Sequence, residues 1–138
     1  ATEGPKALPT ALAEVFQMTR VIALSTDDPW IVGFEVVREV RLLDTSGTWP
    51  HAAGGSMAIN SGYRGDARAW SREIYSQYPA IEGIWYPSSL IGSPCAALYE
   101  RAQSAVPTTP SFSRALNDLA IRVAINNAAS EIKYVVVP

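Results

Sequence analysis

Apolar residues recur along this chain in several rhythms, and each rhythm predicts a different element. Over residues 9–20, "PTALAEVFQMTR", Leu12, Val15, Phe16 and Thr19 fall at the i, i+3, i+4, i+7 spacing of one helix face. Pro9 suits the first turn, where its missing N–H costs nothing, so a helix is predicted over 9–20. Residues 30–43, "WIVGFEVVREVRLL", are dense in β-branched side chains but alternate imperfectly, which predicts one or two strands without a cleanly polar face. The Gly-, Ser- and Asn-rich stretch 44–65 predicts a long loop. In a compact domain a loop of that length is commonly functional.

A second helix is predicted over 66–78, "DARAWSREIYSQY", with Asp66 as N-cap and Ala69, Trp70, Ile74 and Tyr78 as the buried stripe. "GIWY" then reads as a strand, stopped by Pro87 and followed at once by Ser88 and Ser89. "SPCAALYE" reads as the next strand and "AQSAVPTTPSFS" as a loop. Residues 114–129 read as a helix through Leu116, Leu119, Ala120, Val123 and Ile125, and "IKYVVV" as a closing strand. The order of helix, strands, helix, two strands, helix and strand predicts an α+β domain with a mixed sheet.

Composition narrows the field without naming a function. With 138 residues, 48% hydrophobic and 17% charged, the chain suits one globular domain rather than a disordered segment. A net charge of -2 offers no general pull toward nucleic acid, and direct nucleic-acid binding is not expected. No apolar run approaches the roughly 20 residues that span a bilayer, so no membrane partner is expected. The single cysteine, Cys95, rules out an internal disulfide, reads as a buried small hydrophobe and leaves the cytoplasm as the default compartment.

Several familiar chemistries fail on inspection. One histidine, His51, and one cysteine fall short of the usual zinc ligand set, so no metal is expected. There is no G-x-S-x-G elbow, and "AAGGS" lacks the Gly-Lys-Ser/Thr of a phosphate-binding loop. "RGD" at 64–66 reads as a turn leading into a helix cap.

Three segments taken in order resemble the RES domain family, named for an arginine, a glutamate and a serine. "TALAEVFQ" looks like the family's helix carrying its glutamate, which places that role on Glu14. "ARAWSREIYSQYPAIEGIWYPSS" resembles its helix, turn, glycine, strand and Tyr-Pro-Ser, which places the serine on Ser88. "RLLDTSG" is similar to its leucine-rich strand ending in aspartate. The resemblance implies an ADP-ribosyltransferase-like α+β fold, a mixed β-sheet core with flanking helices around a cleft for NAD. It also implies a bacterial toxin that consumes NAD and arrests growth, with a cognate antitoxin as protein partner and a homo-oligomer as a further assembly.

On that resemblance, Glu14 stabilises the cation that develops as the nicotinamide–ribose bond breaks, and Ser88 holds the ribose or a phosphate, with Ser89 sharing the work. Trp85 and Tyr86 supply a stacking surface for a flat base. Glu14 and Ser88 should then face one cleft. The family's arginine is expected ahead of the glutamate helix, yet Lys6 is the lone basic residue among Ala1 to Ala13. The expectation is therefore that residues 1–138 form the C-terminal portion of a single RES-like domain, the arginine lying on a separate N-terminal segment. A degenerate relative is the alternative, and Arg20 or Arg68 would serve as clamp if the chain acts alone.

Each residue also has a plain reading: a solvated helical glutamate, a Pro-Ser turn, a core tryptophan. Two other functions compete with the toxin. One is a non-catalytic interaction module of the same fold that binds an antitoxin-like partner. The other is an unrelated α+β enzyme with its site in the 44–65 loop around His51.

Overall fold

The computed structural model describes residues 1–54 and 64–138. Its elements are helix α1 (Ala7–Phe16), strands β1 (Val21–Ala23), β2 (Trp30–Gly33) and β3 (Leu42–Asp44), the one-turn helix α2 (Trp49–Ala52) and helix α3 (Arg64–Gln77). Strands β4 (Gly83–Pro87) and β5 (Pro94–Leu98), a 3-10 segment (Glu100–Ala105) and β6 (Phe112–Ala115) follow. A 3-10 turn (Leu119–Ile121), helix α4 (Arg122–Ile132) and β7 (Val135–Val137) complete the chain. The fold is mixed α+β. Its strands divide into three small sheets: β1 parallel to β7, β2 antiparallel to β6, and a mixed sheet in the order β3-β4-β5.

Helix α1 lies between two bodies because it has two faces to bury. Leu8, Leu12 and Phe16 pack with Ile22, Leu24, Leu116, Ile125, Ala128 and Ala129, which joins α1 to α4 and the β1-β7 pair. The two helices run antiparallel, with Lys6 ahead of α1 paired to Glu131 near the end of α4. Thr10 and Ala13 are also fully buried, so a second stripe is covered. The stripe read from sequence is corrected here: Val15 is 70% exposed, Thr19 is exposed as well, and the helix stops at Phe16.

Other expectations shift for local reasons. The 30–43 run forms strand only at its ends. Between them Arg38 turns its fork onto Glu82 and Ser104, and the Val37 N–H donates to the Ala105 carbonyl. The helix expected over 114–129 starts at Arg122, because Phe112–Ala115 pairs with Trp30–Gly33 and Asp118 caps the 3-10 turn by accepting from the Ala120 N–H. Leu119 and Val123 are accordingly exposed. The segment expected as loop over 102–113 carries the end of the 3-10 segment and the start of β6. Helix α3 begins at Arg64, which places Asp66 in its first turn rather than at the cap. Ile132 ends α4, Lys133 closes it at φ 59, and β7 is confined to three residues. The expected 44–65 loop holds α2, and its residues 55–63 lie outside the described residues. Among the described residues no helix is long and apolar enough to cross a membrane.

Candidate active site

The turn after β4 is built from the residues that stop the strand. Pro87 pairs with Pro94 as the last rung of the β4-β5 ladder, and neither proline carries an N–H to extend it. The chain then reverses through 88–93: the Ser88 N–H donates to the Ser93 carbonyl at 2.8 Å and the Gly92 N–H to the Ser88 carbonyl at 2.9 Å. Gly92 sits at φ +71, a conformation side chains rarely adopt. The Leu90 N–H donates to the Ser88 hydroxyl at 3.2 Å, which locks the first bend. Pro-Ser-Ser is thus turn chemistry, as its plain reading requires.

Ser88 does more than turn the chain. It is 3% exposed, and its hydroxyl donates to Glu14 Oε1 at 2.6 Å. The structure brings together two side chains 74 positions apart in sequence. A hydrogen bond to a carboxylate at this length is charge-assisted and stronger than a neutral one. It joins α1 to the β3-β4-β5 sheet and fixes one carboxylate oxygen. Among the described residues the other oxygen has no hydrogen-bond partner and remains open to solvent.

Strand alternation decides which of the remaining candidates share this place. Tyr86 lies two residues before Ser88 and opposite Cys95 in register, so Tyr86, Cys95 and Ser88 share one face of the sheet. The Glu14 charge reaches both neighbours: burial first, then Cys95 and Glu14, hold the Tyr86 phenol above its ordinary 10.0. Burial first and Glu14 second push the Cys95 thiol above its ordinary 9.0. Trp85 lies on the opposite face, beside Asp44 and Ala96 in register, and its carbonyl accepts from the N–H and hydroxyl of Thr45. Ser89 is exposed on the turn. The paired aromatic surface expected from Trp85 and Tyr86 does not form, because adjacent strand residues point to opposite faces.

Cys95 was legible as a buried small residue and is 2% exposed. Its place beside Glu14 was missed, although folding "YPSSLIGSPC" about its turn sets Tyr86 against Cys95. Asp44, at the end of β3, accepts from the Ser46 hydroxyl and N–H, and these bonds hold its carboxyl below the usual 3.8. That carboxylate serves the turn after β3.

Three arginines are engaged elsewhere. Arg38 grips Glu82 bidentately at 2.6 and 3.1 Å. Arg101 lies 3.7 Å over the Tyr75 ring and donates to the Tyr75, Tyr78 and Ile81 carbonyls, capping α3. Arg114 pairs with Asp118. Among the described residues no arginine bonds to Glu14 or Ser88. His51 is exposed on α2. An open cavity of about 560 Å³ is lined by Ser71, Arg72, Tyr75, Leu98, Tyr99 and Glu100. It lies toward the far end of β5, three residues or roughly 10 Å along the strand from Cys95.

Comparison with curated proteins and with solved structures finds no match. The family model of the RES domain matches residues 6–117, a span that runs from the start of α1 past β6 and holds Glu14, Tyr86, Ser88 and Cys95. With most of its length matched, the chain belongs to the RES domain family.

Proposed function

We propose that this domain acts on NAD as a toxin-type enzyme, breaking the bond between nicotinamide and ribose and so arresting growth of the cell that holds it. The observation that carries the reading is the 2.6 Å bond from the buried Ser88 hydroxyl to Glu14. A helical glutamate with no role beyond solubility has no need of a buried partner from another element. Family membership agrees with an NAD-related domain of toxin type.

The chemistry follows from the pair. As the glycosidic bond breaks, its electrons leave with nicotinamide and the ribose C1′ becomes cationic. Glu14, held by Ser88 through one oxygen, presents the other toward that carbon or its neighbouring hydroxyl, already oriented and already charged. Ser88 is in this account a positioning residue: it sets the carboxylate rather than the sugar. The acceptor that completes the reaction is water, phosphate or a protein side chain. These alternatives correspond to hydrolysis, phosphorolysis and ADP-ribosyl transfer. The residues fit a ribose. A pyrophosphate clamp lies outside the Glu14–Ser88 pair, and an arginine would supply it. A cytoplasmic setting, where NAD is abundant, goes with the proposal.

A second reading keeps the fold and drops the chemistry: a module that binds an antitoxin-like protein. It is favoured by large apolar side chains left in solvent, with Val15, Met18, Leu119 and Val123 all at least 70% exposed. The deciding experiment is incubation of the full protein with NAD and chromatography of released nicotinamide, for the wild type and Glu14→Gln. The expected result is release by the wild type and a loss of at least about 100-fold in the variant, the scale of removing one preorganised electrostatic group. Equal turnover by a folded Glu14→Gln protein would exclude Glu14 as the stabilising carboxylate.

A further inference from the structure

The Glu14–Ser88 bond leaves two polar atoms of the same site without partners. One is the second carboxylate oxygen of Glu14. The other is the Tyr86 hydroxyl, which has no hydrogen-bond partner among the described residues and is not sealed from solvent. The Tyr86 ring is half-buried, so its direction is set by the fold. It shares the sheet face of Ser88 and Cys95, while the tryptophan beside it faces away.

Resting on the NAD reading above, we propose that Tyr86 holds the ligand's sugar through its hydroxyl, donating to the 3′-oxygen of the ribose whose 2′-hydroxyl donates to Glu14. A carboxylate only accepts, so its sugar partner must be an O–H donor. A protonated phenol donates, so its partner must be an oxygen with a free lone pair. A vicinal diol offers both from adjacent carbons. Position assigns them. A carboxylate that stabilises charge at C1′ lies beside C1′, where the hydroxyl in reach is on C2′, and the adjoining oxygen is on C3′. Burial and the nearby Glu14 keep the phenol protonated, and therefore a donor, throughout the neutral range. The ring alone makes a poor stacking site, since Trp85 on the other face supplies no second aromatic wall.

The test is a titration of the isotope-labelled full protein, followed by magnetic resonance up to millimolar ligand. The ligands are NAD and an NAD analogue lacking the 3′-hydroxyl of the nicotinamide ribose. The proteins are wild type and Tyr86→Phe, a change that keeps the ring and its packing. Losing one neutral hydrogen bond should weaken NAD binding by about 3- to 10-fold. The variant and the wild type should bind the 3′-deoxy analogue alike. Unchanged NAD affinity in a folded Tyr86→Phe protein overturns the proposal. So does a penalty of the same size with the analogue, which would assign Tyr86 a packing role. A wild type that binds neither ligand overturns the NAD reading itself, and that failure is visible before any substitution is made.

Discussion

Replacing Ser88 with alanine removes one hydroxyl and almost no volume, so its cost reports the hydrogen bonds rather than a cavity. The structure assigns that hydroxyl two: donation to Glu14 Oε1 at 2.6 Å and acceptance from the Leu90 N–H at 3.2 Å. Bonds to charged groups contribute about 1.5–3 kcal/mol net. Glu14 is only partly buried, and water can reach the freed oxygen, which favours the lower part of that range. Leu90 is exposed, so its N–H finds water and adds a few tenths at most. The expected loss is about 2 kcal/mol. Unfolding entropy of about 2.1 cal/mol/K per residue over 138 residues converts it to a fall in Tm of about 7 °C.

Denaturant unfolding followed by tryptophan fluorescence measures the loss, provided the slope is unchanged between variants. The same substitution in a Glu14→Ala background supplies the control. With no carboxylate to receive the bond, Ser88→Ala should cost only a few tenths of a kcal/mol there, leaving an interaction energy of about 1.5 kcal/mol between the two positions. Equal costs in both backgrounds would show that Ser88 acts through its turn alone, and the α1-to-sheet link would have to be abandoned.

Three other outcomes test the surroundings of the site. Gly83→Ala should destabilise by about 1–3 kcal/mol, because a Cβ there meets the Ala97 carbonyl oxygen at 2.5 Å and Leu42 Cδ2 at 2.8 Å; a variant as stable as the wild type would mean that β3, β4 and β5 are less tightly spaced than described. The raised Tyr86 phenol stabilises the fold fully below pH 10, and this share is lost as the pH rises through the folded value above 10. Wild type should therefore lose stability relative to Tyr86→Phe on moving from pH 9 to above 10, and parallel stability curves would contradict the burial of that ring. Cys95, 2% exposed with its thiol raised above 9.0, should react with an aromatic disulfide at pH 8 only as fast as the protein opens. Rapid labelling of native protein would place the thiol at the surface.

Legibility in the sequence followed the range of the interaction. The "GIWYP" strand and its stop were readable because proline and glycine act on their own backbone. The rotation of α1 was not. Its 3.6-residue periodicity is real, but burial depends on what stands opposite, and the helix meets α4 on one side and the β3-β4-β5 sheet on the other. Val15 looked like core for that reason and is exposed. The 114–129 segment carries helical periodicity from its start, yet Phe112–Ala115 is strand because Trp30–Gly33 lies alongside. Glu14 and Ser88 were singled out by resemblance rather than by local chemistry, since neither residue's neighbours hint at the other. Trp85 and Tyr86 were grouped by adjacency, where strand alternation alone places them on opposite faces.

The bond from Ser88 to Glu14 is a stabilising contact and a candidate piece of catalytic machinery at once, and substitutions at position 14 separate the two. Glutamine keeps a carbonyl oxygen where Oε1 stands, so it still accepts from Ser88 and holds α1 against the sheet, though with a neutral rather than charged partner. The stability it forfeits is the charge-assisted increment, on the order of 1 kcal/mol. Alanine removes the acceptor and leaves the Ser88 hydroxyl with the Leu90 N–H alone, so it forfeits the whole charge-assisted bond, about 1.5–3 kcal/mol. A contact of purely structural purpose therefore orders the variants by stability as Glu, Gln, Ala, and ligand chemistry tracks that order. A site that works by charge breaks the correlation. Glutamine would sit near the wild type in stability and near alanine in nicotinamide release, because the developing cation responds to the charge and the fold responds mainly to the hydrogen bond.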